Sequence, residues 1–399
     1  IALSSIENVN GSAGNDSITG SSANNSLYGN GGNDTISGGG GEDSLYGGSG
    51  IDTADYSYWA GVGGVFNLAA GTAFFAGFYT EVMQDFENLI GSQGDDVITG
   101  DGSNNTLNGG AGNDTIEGAG GVDVMNGGDG DDTFIIHNGW TGGPGEQMNG
   151  GAGSDTFDYS ATSVTTSTVD LVAGTFNYTP GGSGTIALSS IENVIGSNGD
   201  DTITGTAAAN ELTGNGGNDV LDGGDDNDVL LGGGGNDTLI GRSGADVLKG
   251  WTGQDTLLGG AGWDHLEGGD DNDVLKGWNG NDTLVGDDGD DMLDGGNHND
   301  FLVGGIGNDT LYGRTGADTL KGWTGNDTLL SGAGWDNLDG GDGNDRLNGW
   351  TGNDTMTGGA GIDRFEFNSG LDLITDFADN IDTIALQDAL WGGGKSVAQ

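Results

Sequence analysis

The sequence predicts an all-β chain, a stacked solenoid with two nine-residue units to each turn, and three observations carry that prediction. From Asp201 to Asp363 an aspartate recurs every nine residues through nineteen positions, with Asn210 the one departure. Five residues before each position stands glycine, with Ser331 the exception, and two residues after it stands an apolar residue. The unit reads Gly-x-x-Gly-x-Asp-x-Leu-x, as in Gly232-Gly233-Gly234-Gly235-Asn236-Asp237-Thr238-Leu239-Ile240. So short a fixed period marks a chain whose single unit cannot bury its apolar side and does so by stacking on its neighbours.

Each part of the unit has a physical task. Glycine permits the positive φ that turns loop carbonyls inward. The apolar residue, Leu at 221, 230, 239, 248 and 257, forms a narrow core shared by two sheets. At 18 residues per turn, aspartates eighteen apart stack along one edge at the roughly 4.8 Å spacing of neighbouring strands. The aspartates then supply charge to a cation held between consecutive loops, which takes carboxylate and carbonyl oxygens.

The totals agree with a cation-filled solenoid. Acidic residues number 62 against 8 basic ones, for a formal charge of -54. They are spread through the loops and not gathered in a tail, so bound divalent ions are expected to offset the self-repulsion. Nucleic acid and anionic membrane are poor partners for such a surface. The chain has no cysteine, so metal binding must use oxygen, which suits calcium, and calcium at high concentration points outside the cell. There is neither a cleavable signal peptide nor an apolar stretch long enough to span a bilayer. The opening Ile1-Ala-Leu-Ser-Ser-Ile-Glu-Asn-Val9 reappears at Ile186 to Val194 after a long lead-in, so further sequence is expected upstream.

Along the chain six segments follow. Residues 1–52, 86–132 and 191–363 are repeat blocks; each opens on a Glu-Asn pair (Glu7, Glu87, Glu192) and has Asn where its second aspartate should stand (Asn25, Asn105, Asn210). Weaker or absent metal binding is expected at those Asn loops. Residues 53–85 and 133–190 lose the period and gain aromatic and β-branched residues such as Phe74, Phe75, Phe78, Tyr79, Val164, Val169, Val172 and Phe176; β-hairpin insertions are expected there. Residues 364–399 are less polar and are expected to cap the last turn.

The candidate metal ligands are the register aspartates. In the first blocks these are Asp16, Asp34, Asp43, Asp52, Asp96, Asp114, Asp123, Asp132 and Asp155. In the long run they are Asp201, Asp219, Asp228, Asp237, Asp246, Asp255, Asp264, Asp273, Asp282, Asp291, Asp300, Asp309, Asp318, Asp327, Asp336, Asp345, Asp354 and Asp363. Because burial of one Leu per nine residues is small against the entropy of ordering 90 glycines, the chain is expected to fold only with its ions.

A second period of 72 residues matches Arg242 to Arg314, Trp251 to Trp323, Trp263 to Trp335 and Trp278 to Trp350. Seventy-two residues are four turns. Arg242, Trp278, Arg314 and Trp350 are therefore expected on one edge, with Trp251 and Trp323 on the other. Duplication of a 72-residue unit explains the pattern without any ligand; a stripe that binds acidic polysaccharide or a partner protein explains it too. His137, His265 and His298 are isolated. No His-Glu-x-x-His, nucleophile elbow or phosphate-binding Gly-rich loop occurs, and carboxylate pairs such as Asp225/Asp226, Asp270/Asp271 and Asp287/Asp288 are too common here to mark catalysis.

These repeats resemble those of the RTX (repeats-in-toxin) family over most of the chain. The resemblance implies a parallel β-roll in which loop aspartates and glycine-turn carbonyls bind many Ca2+ ions, and a type I secretion substrate that folds outside the cell. The end segment, Asp372-Leu-Ile-Thr-Asp-Phe377 and Asp382-Thr-Ile-Ala-Leu386, is similar to the close of serralysin and mannuronan epimerase repeat modules. The chain departs from the pattern at second loop positions (Arg242, Trp251, Trp278, Arg314, Trp323, Trp350) and at fourth positions (Asp226, Asp271, His298), which puts the calcium sites of those loops in question. The expected function is a non-catalytic calcium-binding roll with a structural or adhesive role in a larger secreted or cell-surface bacterial protein. Alternatives are an accessory module for acidic polysaccharide beside an upstream enzyme, and self-assembly into a surface layer or filament.

Overall fold

A computed structural model describes residues 6–75, 79–137, 145–179, 185–378 and 381–386 of the chain. Every regular element among them is a β-strand. The chain divides into two compact units, Ile1–Asn198 and Gly199–Gln399.

In the second unit the nine-residue period is written directly into the hydrogen bonds. Strand Thr238–Ser243 pairs in parallel with Thr256–Ala261, and Leu239 stands opposite Leu257. Thr256–Ala261 continues to Val274–Asn279, again eighteen residues on. Successive units alternate between two sheets, so the chain forms a parallel β-solenoid of eighteen residues per turn, a β-roll. The leucines at 221, 230, 239, 248, 257 and onward to 347 are fully buried, followed by Met356 and Phe365.

The strands are longer than a three-residue strand after each Asp would give. They run for six residues because pairing resumes beyond the first loop glycine: Arg242 faces Gly260 and Ser243 faces Ala261. The residue at the second loop position holds a positive φ, such as 114° at Gly233, which lets the chain turn while its next residue still reaches the neighbouring turn.

The first unit has the same core, with Leu27, Ile36, Leu45, Leu89, Ile98 and Leu107 buried, and adds two antiparallel excursions. In the first, Val65–Asn67 pairs antiparallel with Thr72–Phe74, which pairs antiparallel with Thr80–Gln84. The outer strands of this trio return to the roll: Val65–Asn67 lies parallel to Val97–Thr99, and Thr80–Gln84 lies parallel to Ser44–Ser49. Phe66 and Phe75 fill the space between with Tyr56; Phe78 lies outside the described residues. In the second, Thr166–Asp170, Thr175–Thr179 and Ile186–Ser189 form the corresponding antiparallel trio. The strands Gln147–Ala152 and Thr156–Asp158 within 133–190 remain rungs of the roll, paired to Val124–Asp129 and Thr133–Ile135.

At the C-terminal end the described residues prolong the coil. Arg364–Phe367 pairs in parallel with Arg346–Asn348 on one side and Thr383–Leu386 on the other, and Leu371 and Leu373 are exposed. The part of the expected cap at 379–380 and 387–399 lies outside the described residues.

Candidate metal centre

The apolar strand residue fixes which way the preceding aspartate points. Inward and outward side chains alternate, so Asp237, two residues before Leu239, is buried with it. The same holds for every register aspartate from Asp34 to Asp363, each at most 3% exposed; Asp16 is only partly buried.

One carboxylate oxygen of each has a fixed task. The N–H of Asp219 donates to Oδ1 of Asp237 at 2.8 Å, and that of Asp237 to Oδ1 of Asp255 at 2.7 Å. Repeated turn by turn, this joins Asp201, Asp219, Asp237, Asp255, Asp273, Asp291, Asp309, Asp327, Asp345 and Asp363 along one edge. On the other edge the ladder runs from Asn210 through Asp228, Asp246, Asp264, Asp282, Asp300, Asp318 and Asp336 to Asp354. In the first unit it joins Asp16, Asp34 and Asp52; Asn25 and Asp43; Asp96, Asp114, Asp132 and Asp155; and Asn105 and Asp123.

The other oxygen has no task. Oδ2 of Asp34, Asp43 and Asp52, of Asp114, Asp123, Asp132 and Asp155, and of every register aspartate from Asp219 to Asp354 is buried without a hydrogen-bond partner. Buried carboxylate oxygens are rarely left this way, because each one lost water on folding and gained nothing for it. They point at the first loop glycine. A Cβ on Gly250 would lie 2.2 Å from Oδ2 of Asp255 and 2.6 Å from the Gly268 carbonyl one turn on. At Gly286 the same two distances, to Asp291 and Gly304, are 2.2 and 2.5 Å. A carboxylate from one loop and a carbonyl from the next thus converge on a space that only glycine leaves open.

The donor set fits calcium: hard oxygens, a mixture of carboxylate and carbonyl, in a stack that supplies ligands from two turns. Among the described residues no three His, Cys, Asp or Glu side chains converge, so backbone carbonyls would carry much of the coordination. Burial raises the carboxyl groups strongly when no cation is near: Asp114, Asp219, Asp273 and Asp300 are pushed up to about 8. Asp228, Asp255, Asp264, Asp309, Asp318 and Asp345 reach about 7. A cation beside Oδ2 reverses that tendency by favouring the charged form.

Some loops differ. Oδ2 of Asp16 and of Asp96 accepts the N–H of Ser12 and Ser92, at 2.5 and 2.6 Å, and Oδ1 of Asp96 accepts the N–H of Gly64 at 2.6 Å, so these aspartates have protein donors where the others have none. The side-chain oxygens of Asn25, Asn105 and Asn210 are closed in the same way by the N–H groups of Ser21, Asp101 and Thr206. At the one loop that lacks the first glycine, the buried Ser331 hydroxyl donates to the Gly349 carbonyl at 3.2 Å.

The substituted positions keep a positive φ, smaller than that of Gly at the same place, such as 114° at Gly233. Arg242, Trp251, Trp278, Arg314, Trp323 and Trp350 keep φ between 57° and 81°, and Asp226, Asp271 and His298 at the fourth position keep 69°, 78° and 80°. Oδ2 of Asp246, Asp255, Asp282, Asp318, Asp327 and Asp354 is as unpartnered there as elsewhere. The left-handed conformation, which disfavours a side chain by about 1–2 kcal/mol, is imposed by the stack.

Sequence reasoning overlooked several ladder carboxylates. Oε2 of Glu87 accepts the N–H of Asp52 at 2.8 Å, and Oε2 of Glu192 that of Asp155 at 2.9 Å. Asp372 and Asp382 extend the two ladders beyond Asp354 and Asp363, each at 3.1 Å. The Glu-Asn that opens each block was the available signal. The histidines lie apart from the ladders: His137 pairs with Glu117 at 3.0 Å and the Nδ1 of His298 meets the Asn297 carbonyl at 2.9 Å, while His265 is half-exposed near Glu267.

Register places Arg242, Trp278 and Arg314 on one edge at every second turn, through Gly260 and Gly296. Trp251 and Trp323 fall on the other, separated by Gly269, Asp287 and Gly305. The indoles are about half or more exposed. A groove of about 430 Å³ lies between Trp278 and Arg314, floored by Lys276, Asp294, Gly296 and Asn297. A second, of about 360 Å³, lies between Arg314 and Trp350. Arg314 grips Asp294 with two hydrogen bonds of 2.9 and 2.8 Å and stacks on Tyr312; Arg242 grips Asp222 in the same way.

The profile of the RTX calcium-binding nonapeptide repeat matches residues 2–36, 19–54, 84–116, 99–134, 195–230, 231–262, 258–293, 294–329 and 330–365, well over half of the chain. No curated protein matches it.

Proposed function

The chain belongs to the RTX calcium-binding nonapeptide repeat family, and from that premise we propose that calcium binding to the paired loops drives its folding, outside the cell and after type I secretion, to give a rigid structural or adhesive roll. The carrying observation is the row of buried, unpartnered Oδ2 atoms beside the first loop glycine, joined at loops such as those of Gly214, Gly250, Gly286 and Gly340 by a carbonyl of the next turn. Without a cation these like charges repel along both edges and oppose burial of the thin leucine core. With one, each ion ties two turns together and binds only the folded form. The family match indicates no catalytic family. The chain holds no helix long and apolar enough to cross a membrane among its described residues. The test is a calcium titration followed by circular dichroism and sedimentation. A steep passage from expanded to compact monomer is the expected result; full strand content in excess chelator would refute the proposal, and large calcium-dependent particles would favour a surface-layer or filament role.

A second reading rests on the Trp278–Arg314–Trp350 edge. Exposed indoles flanking two grooves offer flat faces for sugar rings, along an edge whose rungs repeat at about 4.8 Å. Because Arg242 and Arg314 are already paired with Asp222 and Asp294, stacking would outweigh charge, which favours an uncharged glycan over an acidic polysaccharide. Trp278→Ala with Trp350→Ala should abolish retention by such a glycan in an affinity gel while calcium-induced folding is unchanged. Equal retention by parent and variant would remove this reading.

A further inference from the structure

Beneath the first antiparallel trio, register brings Glu81 to the place where the repeat has its loop aspartate. Ser44 pairs with Val82 and Leu45 with Met83, and the Val82 N–H donates to the Asp43 carbonyl at 3.0 Å. Glu81 therefore stands one rung beyond Asp43. Glu87 and Glu192 hold comparable places and act as ladder acceptors. Glu81 is different: it is wholly buried, and neither of its carboxylate oxygens has a hydrogen-bond partner. Oδ2 of Asp43 is in the same condition. The hydroxyl of fully buried Tyr56 has no other partner and lies beside Glu81, the one acceptor toward which it is turned.

Register therefore sets the Glu81 carboxylate one rung from that of Asp43, three buried carboxylate oxygens without partners, and the one hydroxyl proton of Tyr56 can satisfy one acceptor at most. Two buried carboxylates with no counter-charge are costly, and hard oxygen donors of this kind suit a calcium ion. We propose that Asp43 and Glu81 hold one calcium ion between them, with the Tyr56 hydroxyl at its rim, a site made jointly by the roll and the inserted strand. It rests on the calcium reading of the repeats. Its consequence is mechanical: the ion clamps Thr80–Gln84, and through it the antiparallel strands Thr72–Phe74 and Val65–Asn67, onto Ser44–Ser49.

Native mass spectrometry of the full chain in saturating calcium tests this by counting ions. Glu81→Gln, Asp43→Asn and the double variant should each lose the same one ion relative to the parent, with the near-ultraviolet signal of the Trp59, Phe75 and Tyr79 cluster retained. An undiminished count in Glu81→Gln would overturn the proposal and leave Glu81 as a buried neutral acid; loss of two ions in the double variant would overturn it as well. Should Glu81→Gln disturb the aromatic signal, Glu81→Asp decides. It keeps the charge on a shorter arm, so it should reach the parent's count only at higher calcium, and a titration superimposable on the parent's would refute the site. A parent that binds no calcium at all would instead defeat the calcium reading itself.

Discussion

The long run of the second unit and the interrupted blocks of the first build the same ladder by different means. In the long run each loop aspartate hands its N–H to an aspartate eighteen residues later without a break. In the first unit the partner stands 23 residues on for Asp132 and 35 on for Asp52. At Glu87 and Glu192 the carboxylate sits on a longer side chain. What the roll requires is therefore a carboxylate at a fixed place in the stack, and sequence distance is only its usual correlate. The first unit fills the added space with Tyr56, Phe66, Phe75, Phe157, Tyr159 and Phe176, so it leans on apolar packing where the long run leans on repeated loops. The two should fail differently.

The sharpest break comes from adding one carbon. In Gly268→Ala the new Cβ would lie 2.3 Å from Oδ2 of Asp273 and 2.9 Å from the Gly286 carbonyl. Overpacking costs about 1–3 kcal/mol, and loss of an ion held at a hundredfold excess over its dissociation constant adds about 2.7 kcal/mol. In the first unit, Gly102→Ala meets nothing within 4 Å and should be neutral. Calcium-dependent melting of the two variants measures the difference; equal melting would mean that the Asp273 carboxylate moves aside for the methyl without losing an ion.

Core truncation comes next. Leu284→Ala removes the one buried apolar side chain of its unit and should cost about 2–5 kcal/mol. Because each turn touches only its neighbours, the damage should stay local. Phe66→Ala lies among several aromatic rings and should loosen the whole antiparallel trio. Hydrogen exchange resolved along the sequence distinguishes the two, with fast exchange confined to about one turn on either side of 284 in the first case and spread over 64–84 in the second.

Acidity should act in opposite directions with and without calcium. In calcium-free buffer the buried carboxyl groups of the folded form titrate high, Asp273 and Asp300 at about 8 and Asp345 at about 7, because burial disfavours their charge. The folded form then binds more protons than the unfolded one across this range. Its stability is fullest below the ordinary carboxylate value of about 4 and is lost as pH rises through about 6 to 8. Lowering pH from 8 to 5 should restore part of the strand signal. With calcium bound the carboxylates are held ionised, and the same acidification should weaken the fold. Circular dichroism at both pH values decides this, and the same slope in both buffers would contradict it.

Much of this was legible in the sequence because the period is rigid. A nine-residue repeat with glycine, aspartate and leucine at fixed offsets determines which residues stack, so the register of Leu239 against Leu257 and the edge shared by Arg242, Trp278 and Arg314 could be read without coordinates. The six-residue strands could not, because pairing beyond the first loop glycine depends on the backbone of the neighbouring turn. Nor could Glu81. It stands one rung beyond Asp43, and the change of period between the two destroys the arithmetic that register reading depends on. Glu87 and Glu192, which carry ladder bonds, are marked by the Asn that follows them, whereas Glu81 is followed by Val82 and carries no such mark.

The smallest effect concerns the left-handed residues of the long run. Trp251 holds φ at 81° and Trp323 at 80° while their indoles are 57% and 60% exposed. Replacing Trp251 by Gly removes a conformational penalty of about 1–2 kcal/mol and uncovers little apolar surface. The unfolded chain meanwhile gains freedom, which offsets part of the benefit. Trp251→Gly should therefore match the parent in calcium-saturated melting or exceed it by about 1 kcal/mol. Such a gain would mean that Trp at this position is not retained for stability, and would direct attention to what its exposed face binds. A loss of more than about 2 kcal/mol would show that the indole packs over the loop and shields the site at Asp255, and the edge would then be explained by the roll alone.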